Sequence, residues 1–317
     1  MAGGAPMTPM RTAIDEYLAL RRALGFRLKK DERLLGQFAG FMEQRRAVHI
    51  TAKLAAEWAQ QTPSTDQNYH AGRLRAVRSF ARHRIHDDPI TEVPPTNMLP
   101  RRRNTFQPHI FTGEEIQHIL AASLRKWGGA TPFYCLGRYT MYGLISVTGM
   151  RVSEVLNLNL GDVDLESGVI TIRNTKFGKS RLVPVHETTR AVLETYRDAR
   201  AAHLAGREVL PFFISEPGRR ITHAALGRAF KRLTRRIGLC DAGAPDGPRL
   251  HDLRHTMAVD VLQKCYSTGA DPERRLPALS TYLGHSHLNY TYWYLHQNPG
   301  LMTEAMTRLQ HRWEASP

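Results

Sequence analysis

The sequence predicts a mainly α-helical protein with a small β-hairpin or sheet, arranged as a helical N-terminal domain followed by a mixed α/β domain. Three observations carry this. Apolar residues recur at helical spacing through the first 85 residues. Pro89, Pro94, Pro95, Pro100 and Pro108, with the run Arg101-Arg102-Arg103, then interrupt any helix. Further on, Val169-Ile170-Thr171-Ile172-Arg173 and Arg181-Leu182-Val183-Pro184-Val185 flank a Gly-containing turn, a strand–turn–strand pattern set among helical segments. The expected boundaries are residues 1–88 for the first domain, 89–108 for a linker and 109–317 for the second domain.

In chain order, Ile14, Tyr17, Leu18, Leu20 and Leu24 mark a first helix that Gly25 stops. Leu34, Leu35, Phe38, Phe41 and Met42 form a second apolar stripe, and Thr51 is a candidate cap for a third helix carrying Leu54, Ala55 and Trp58. A fourth spans residues 66–85, with Leu74, Val77, Phe80 and Ala81 inward and Arg73, Arg75, Arg78 and Arg82 outward. The result is a four-helix bundle with one strongly basic helix. In the second domain, helical patterns occupy 113–126, 133–147 and 151–158, and after the hairpin 188–204. Thr222 is a candidate cap for a helix to residue 237, striped by Leu226, Phe230 and Leu233. Arg228, Lys231, Arg232, Arg235 and Arg236 occupy its other faces. Leu301, Met302, Ala305, Met306 and Leu309 form a last stripe, suited to packing on its own domain or on a neighbouring copy.

Charge narrows the partner. The 317 residues hold 44 Lys+Arg against 29 Asp+Glu, a net of +15. Residues 1–104 hold 18 against 10 and the remainder 26 against 19, so both domains are basic. Such a surplus favours a polyanion, either nucleic acid or an acidic membrane surface. The membrane side is weak. The uncharged stretch between Arg138 and Arg151 is 12 residues, too few to span a bilayer, and Met1-Ala2-Gly3-Gly4-Ala5-Pro6 lacks the charged and apolar regions of a secretory signal. Cys135, Cys240 and Cys265 are odd in number, widely spaced and without a CxxC pair, as expected of buried, reduced thiols rather than disulfides or a zinc site. The expectation is a soluble, cytoplasmic, nucleic-acid-binding protein.

Several constellations carry chemistry. His251-Asp252-Leu253-Arg254-His255 puts two histidines at i and i+4, the spacing that chelates zinc in HExxH proteases. Against zinc, Asp252 is a methylene shorter than the catalytic Glu, no third ligand stands out downstream, and Arg254 sets a cation beside the metal. The other reading pairs His251 with Arg254, a proton carrier and a planar fork matched to phosphate oxygens. Thr148-Gly149-Met150-Arg151 places a second Arg just after a Gly turn, with Glu154 at i+3 to buttress it. Lys176 and Lys179 lie on the hairpin turn. Leu283-Gly284-His285 follows, and nine residues after His285 comes Tyr294, with Tyr290 and Tyr292 nearby.

In order and spacing these pieces resemble the tyrosine recombinase (phage integrase) family. Residues 148–154 look like its first arginine box, residues 181–184 like the end of its β-hairpin, 251–254 like its HxxR box, 283–285 like its LGH box, and Tyr294 like its nucleophile. The resemblance covers residues 110–297, with 8–88 similar only as a basic helical bundle of the core-binding kind. It implies a DNA-binding core-binding domain and an integrase-type catalytic domain that clamp double-stranded DNA as a homo-tetramer on two sites, with room for related recombinases or accessory DNA-binding proteins.

It also implies roles. Arg151 and Arg254 stabilise charge on the phosphate oxygens without a metal or cofactor. Tyr294 attacks phosphorus to leave a 3′-phosphotyrosyl bond and a free 5′-hydroxyl. Lys176, five residues before Arg181 as in the family, protonates the departing oxygen; Lys179 is its rival on the same turn. His251 assists proton transfer, His285 hydrogen-bonds the phosphate, and Glu154 supports Arg151. The expected DNA-binding faces are Arg73, Arg75, Arg78 and Arg82 in the first domain and Arg228, Lys231, Arg232 and Arg235 in the second. The wording around Tyr294 resembles transposon-borne members, which points to integration or transposition of a mobile element. Two rivals remain: a type IB topoisomerase using the same site, and a DNA-binding factor without catalysis.

Overall fold

The computed structural model describes residues 8–26, 28–101, 107–173, 180–240, 247–268 and 272–284, with single helical positions at 303, 306, 307, 310 and 314. The chain divides into two units, Met1–Thr105 and Phe106–Pro317. Described helices and strands follow the predicted class: helices dominate and one three-stranded antiparallel sheet supplies the β structure. Among the described residues, no helix is long and apolar enough to cross a membrane. Cys135 and Cys265 are buried and Cys240 is half-buried.

The first unit is a bundle of α1 (Pro9–Ala23), α2 (Lys29–Gln44), α3 (Ala52–Gln60) and α4 (Gln67–Arg84). Side-chain caps start three of them: Thr8 accepts from Arg11 N, Thr51 from Leu54 N and Asp66 from Asn68 N. Ile14, Leu18, Leu34, Phe38, Met42, Trp58, Leu74, Val77 and Phe80 fill the core. Leu20 and Leu24, expected in the first stripe, are exposed. Leu20 falls on the far face of α1 from Ile14 and Leu18, and Leu24 lies past the last helical residue.

Two arginines expected on the outward face of α4 make inward or backbone contacts instead of standing free. Arg73, expected on an outward DNA-binding face, is only 6% exposed. Its guanidinium lies 3.9 Å over the Trp58 ring and donates to Trp58 O at 3.0 Å. Arg78, also expected outward, donates to the carbonyls of Pro94 and Pro95 at 2.7 Å each and of Thr96 at 3.4 Å. That clamp ties residues 94–96 of the expected linker to α4. Prolines remove donors from this segment, so its carbonyls need partners elsewhere. Held by Arg78, the segment lays Leu99 and Val93 against the bundle core.

The second unit begins with α5 (Gly113–Leu124), opened by a reciprocal Thr112/Glu115 capping box. Then come α6 (Pro132–Thr148) and α7 (Val152–Asn157). A 3₁₀ turn (Leu160–Asp162) leads to the sheet: β1 (Val163–Asp164), β2 (Val169–Ile172) and β3 (Arg181–Pro184), in the order β1-β2-β3. Ile170 pairs with Val183 and Ile172 with Arg181, so Ile170, Ile172 and Val183 turn inward while Leu182 faces out. α8 (Glu187–Leu204), α9 (His223–Arg236), α10 (Asp252–Ser267) and α11 (Pro272–Leu283) complete the described part. Tyr142, Ile145, Val155, Ile170, Tyr196, Phe213 and Phe230 belong to the main core, and Leu262, Leu276, Leu279 and Leu283 to a smaller one between α10 and α11.

The clamp on the proline-rich segment makes a prediction. Arg78→Ala should lower stability by about 2 kcal/mol, the scale of lost charge-assisted hydrogen bonds. It should also raise amide exchange or proteolysis selectively near Thr96–Asn97. Unchanged protection there would mean that the segment holds without Arg78.

Candidate active site

The site is assembled from helix ends. α6 runs out at Gly149 (φ 61°) and α11 at Gly284 (φ 66°), left-handed turns that suit glycine. The last carbonyls of a helix have no partner inside it, and here guanidinium groups from elsewhere supply the donors. Arg254, in the first turn of α10, donates from Nη1 to Gly149 O at 2.5 Å and from Nη2 to Leu283 O at 2.8 Å. It is 1% exposed. Arg151, the residue before α7, donates from Nη2 to Gly284 O at 2.6 Å. The two arginines therefore sit on consecutive carbonyls. A side chain at Gly284 would be strained by the positive φ and would displace the arginines: a Cβ there would stand 2.8 Å from Arg181 Nη1 and 3.4 Å from Arg151 Nη1.

Glu154 organises the cations. Its Oε1 accepts from Arg151 Nη1 at 2.7 Å and Arg181 Nη1 at 2.9 Å. Its Oε2 accepts from Arg151 N at 2.8 Å and Arg181 Nη2 at 2.7 Å. The first pair of contacts orients Arg151, and the backbone bond closes the first turn of α7. Burial pushes the carboxyl up, but the two guanidinium groups overcome it and hold the pKa at about 2.

His251 immediately precedes α10 and is half-buried. Burial, then the charges of Arg254, Arg249 and Arg151, push its pKa down to about 4, so the imidazole is neutral at pH 7. His255, one turn on, meets it edge to face with ring centroids 4.8 Å apart. The zinc-protease reading fails on Asp252. This buried carboxylate does not stand over the histidines but caps the start of α10, accepting from Arg249 N at 2.8 Å and from the Arg249 side chain at 3.3 Å. Among the described residues, no group of three or more His, Cys, Asp and Glu is placed to hold a metal ion.

Comparison with known proteins gives this geometry a setting. Residues 109–300 match the model of the phage integrase family. The chain is 45% identical over 320 aligned residues to y4rB of Sinorhizobium fredii, described as an integrase/recombinase, covering 97% of this chain and 99% of that protein. The chain belongs to the phage integrase family. As a tyrosine recombinase it is a DNA strand-transferring enzyme. It is also 30% identical to the tyrosine recombinase XerC of Chlamydia caviae, over 71% of this chain and 66% of that one. In fold it resembles the Tn1549 transposon integrase in complex with transposon right-end DNA (TM-score 0.65, 19% identity, 95% of this chain and 98% of that chain). The XerH recombinase bound to palindromic difH substrate is a second neighbour (TM-score 0.63, 19% identity, 88% and 78%).

Of the residues expected in a recombinase site, the structure brings Arg151, Glu154, His251 and Arg254 together at the ends of α6, α7, α10 and α11. Lys176, His285 and Tyr294, with their rivals Lys179, Tyr290 and Tyr292, lie outside the described residues. So does most of the C-terminal stripe, of which Met306 is described as exposed. Arg75 and Arg82 on α4 and Arg228, Lys231, Arg232 and Arg235 on α9 are exposed. Sequence reasoning passed over Arg181, using it only to mark spacing. Its signal was strand alternation, since Arg181 shares the inward side of β3 with Val183, and an inward arginine calls for a buried carboxylate.

Glu154 predicts an acid-sensitive contribution to stability. Because its pKa is depressed, that contribution is full above its ordinary value of 4.5 and disappears as pH falls towards 2. Glu154→Gln should cost on the order of 3 kcal/mol at pH 7, as expected for breaking a buried ion pair. The difference from wild type in denaturant melts should shrink between pH 4.5 and 2. A pH-independent difference would contradict the assignment. His251, whose pKa is likewise lowered, should show in NMR no protonation through pH 6.5 and a midpoint near 4.

Proposed function

We propose that this tyrosine recombinase is a site-specific DNA recombinase that cuts and rejoins strands through a 3′-phosphotyrosyl intermediate and a Holliday junction, serving integration or transposition of a mobile element. The observation that carries the reading is the convergence of Arg151 and Arg254 on consecutive carbonyls at the end of α11, with a neutral His251 beside them. Two guanidinium forks aimed at one region suit the spread of negative charge in phosphoryl transfer. The neutral imidazole is the form that accepts a proton from an attacking hydroxyl.

In this mechanism Tyr294 attacks the scissile phosphorus, the 5′-oxygen leaves with a proton from Lys176, and the phosphotyrosyl bond conserves the energy for religation. His285 hydrogen-bonds the phosphate. Double-stranded DNA is held through Arg75 and Arg82 of α4 and the Arg228, Lys231, Arg232 and Arg235 face of α9. Four protomers on two sites exchange one strand pair and then the other, alone or with related recombinases or accessory DNA-binding proteins. The DNA-bound complexes of XerH and the Tn1549 integrase, similar in fold, support the choice of partner, and the Tn1549 likeness accords with a mobile element.

The test uses a site recovered from random duplexes by binding to the full chain, nicked to trap the intermediate. Wild type should form a denaturant-resistant adduct that Tyr294→Phe does not. An adduct surviving the substitution moves the nucleophile to Tyr292 or Tyr290. Tight binding without any adduct makes the chain a non-catalytic DNA-binding factor, and supercoil relaxation without recombinant products makes it a topoisomerase. Binding itself should weaken by about three orders of magnitude between 50 and 200 mM salt if six or so phosphates are contacted. A flat salt response would refute the proposed basic faces.

A further inference from the structure

Arg181 has no part in the mechanism above, yet it is bound more completely into the Glu154 carboxylate than Arg151 is. It projects from β3, where Ile172 is its cross-strand partner. Its two terminal nitrogens take one oxygen each of Glu154, at 2.9 and 2.7 Å, and its side chain is 13% exposed against 32% for Arg151. A carboxylate has about four acceptor positions. In Glu154 two go to Arg181, one to the Arg151 side chain and one to the Arg151 backbone. No direction is left in which the carboxylate can turn without losing a bond.

Charge adds a second reason. Glu154 with Arg151 alone would be neutral overall. With Arg181 included the group carries one net positive charge, and the more exposed of the two guanidinium groups is Arg151. The third link is steric. Arg181 Nη1 lies 2.8 Å from the place a Cβ of Gly284 would take, so the same guanidinium packs against the turn that ends α11. The residue after that turn is His285.

We propose that Arg181 is a positioning residue for strand transfer: it fixes Glu154 so that Arg151 is held in register with its charge uncancelled, and it braces the Gly284 turn that leads into His285. The inference rests on the strand-transfer reading. Arg181 acts through Glu154 and Gly284 and is not itself a contact to the reacting phosphate. Its removal leaves the Glu154–Arg151 backbone bond that closes the first turn of α7, so the fold and the DNA-binding faces persist while the register is lost.

The experiment compares full-length wild type, Arg181→Gln, Arg181→Lys, Glu154→Gln and the Arg181→Gln/Glu154→Gln double variant. Single-turnover adduct formation is measured on the nicked suicide duplex at saturating concentration, alongside DNA affinity and melting midpoint. Arg181→Gln should slow adduct formation about 30-fold, within the range expected when a catalytic group is slightly misplaced, with affinity within about threefold of wild type. Arg181→Lys, which keeps the charge but lacks the fork, should recover part of the rate. The double variant should be no slower than the slower single one, because the two residues act as one unit.

A rate for Arg181→Gln within threefold of wild type would overturn the proposal. So would full multiplication of the two single effects, or a rate loss that merely follows lost affinity and a lower melting midpoint in every variant. A wild type that forms no adduct at all would overturn the strand-transfer reading and this inference with it; the other outcomes strike at Arg181 alone.

Discussion

The interaction on which the C-terminal unit depends is the hydrogen bond from a guanidinium group to a backbone carbonyl that secondary structure leaves without a donor. α6 and α11 must stop at Gly149 and Gly284 for Arg254 and Arg151 to reach their last carbonyls. The glycine turns expose those oxygens, and the arginines satisfy them at 2.5–2.8 Å. Each group solves the other's problem, since a buried Arg254 needs acceptors as much as the helix ends need donors. Placement of the two arginines and helix termination are therefore one structural event.

The same device recurs at several other points among the described residues. Arg138 donates to Ser123 O, Arg200 to Val209 O and Pro211 O, and Arg220 to Leu156 O and Leu158 O. In the first unit Arg73 and Arg78 do likewise for Trp58 and for the residues around Pro94 and Pro95. Arginine suits the task because its long stem packs on apolar or aromatic surface while its planar head reaches two acceptors at once. Lysine, with one flexible point of charge, would hold these segments less firmly.

This pattern explains which parts of the structure were legible in the sequence. Apolar periodicity located the described helices of the first unit and most of the second, because Phe38, Val77, Tyr142 or Phe230 have only one stable place to go. Thr51 and Thr222 were legible as caps because a β-hydroxyl ahead of an apolar stripe has one obvious use, and both make that bond. The motif boxes were legible because Arg151, Glu154, His251 and Arg254 sit at fixed offsets from turns and helix starts. The interior arginines were not. A periodicity argument counts Arg73 and Arg78 as polar and sends them outward, although Trp58 draws Arg73 inward and the carbonyls of a proline-rich segment hold Arg78. Arg181 was visible only as a spacing mark, since its partner Glu154 lies 27 residues away and no local rule joins them. What pattern reasoning lacks is knowledge of which carbonyls the fold will leave unbonded.

The choice of carbonyls as partners has an electrostatic consequence. A carboxylate that satisfies a guanidinium also cancels its charge, whereas a carbonyl satisfies the donors and leaves the charge standing. Arg254 is buried and donates to two carbonyls, while the more exposed Arg151 donates to one carbonyl and to half of a carboxylate that it shares with Arg181. The +15 surplus is thus not simply a surface property. Part of it is stored inside as structural cations whose field is directed by the turns they hold. The depressed pKa of His251, lowered by burial and then by Arg254, Arg249 and Arg151, registers that field. A site built in this way gathers positive charge where its helices end, because cationic donors meet the carbonyls left open there.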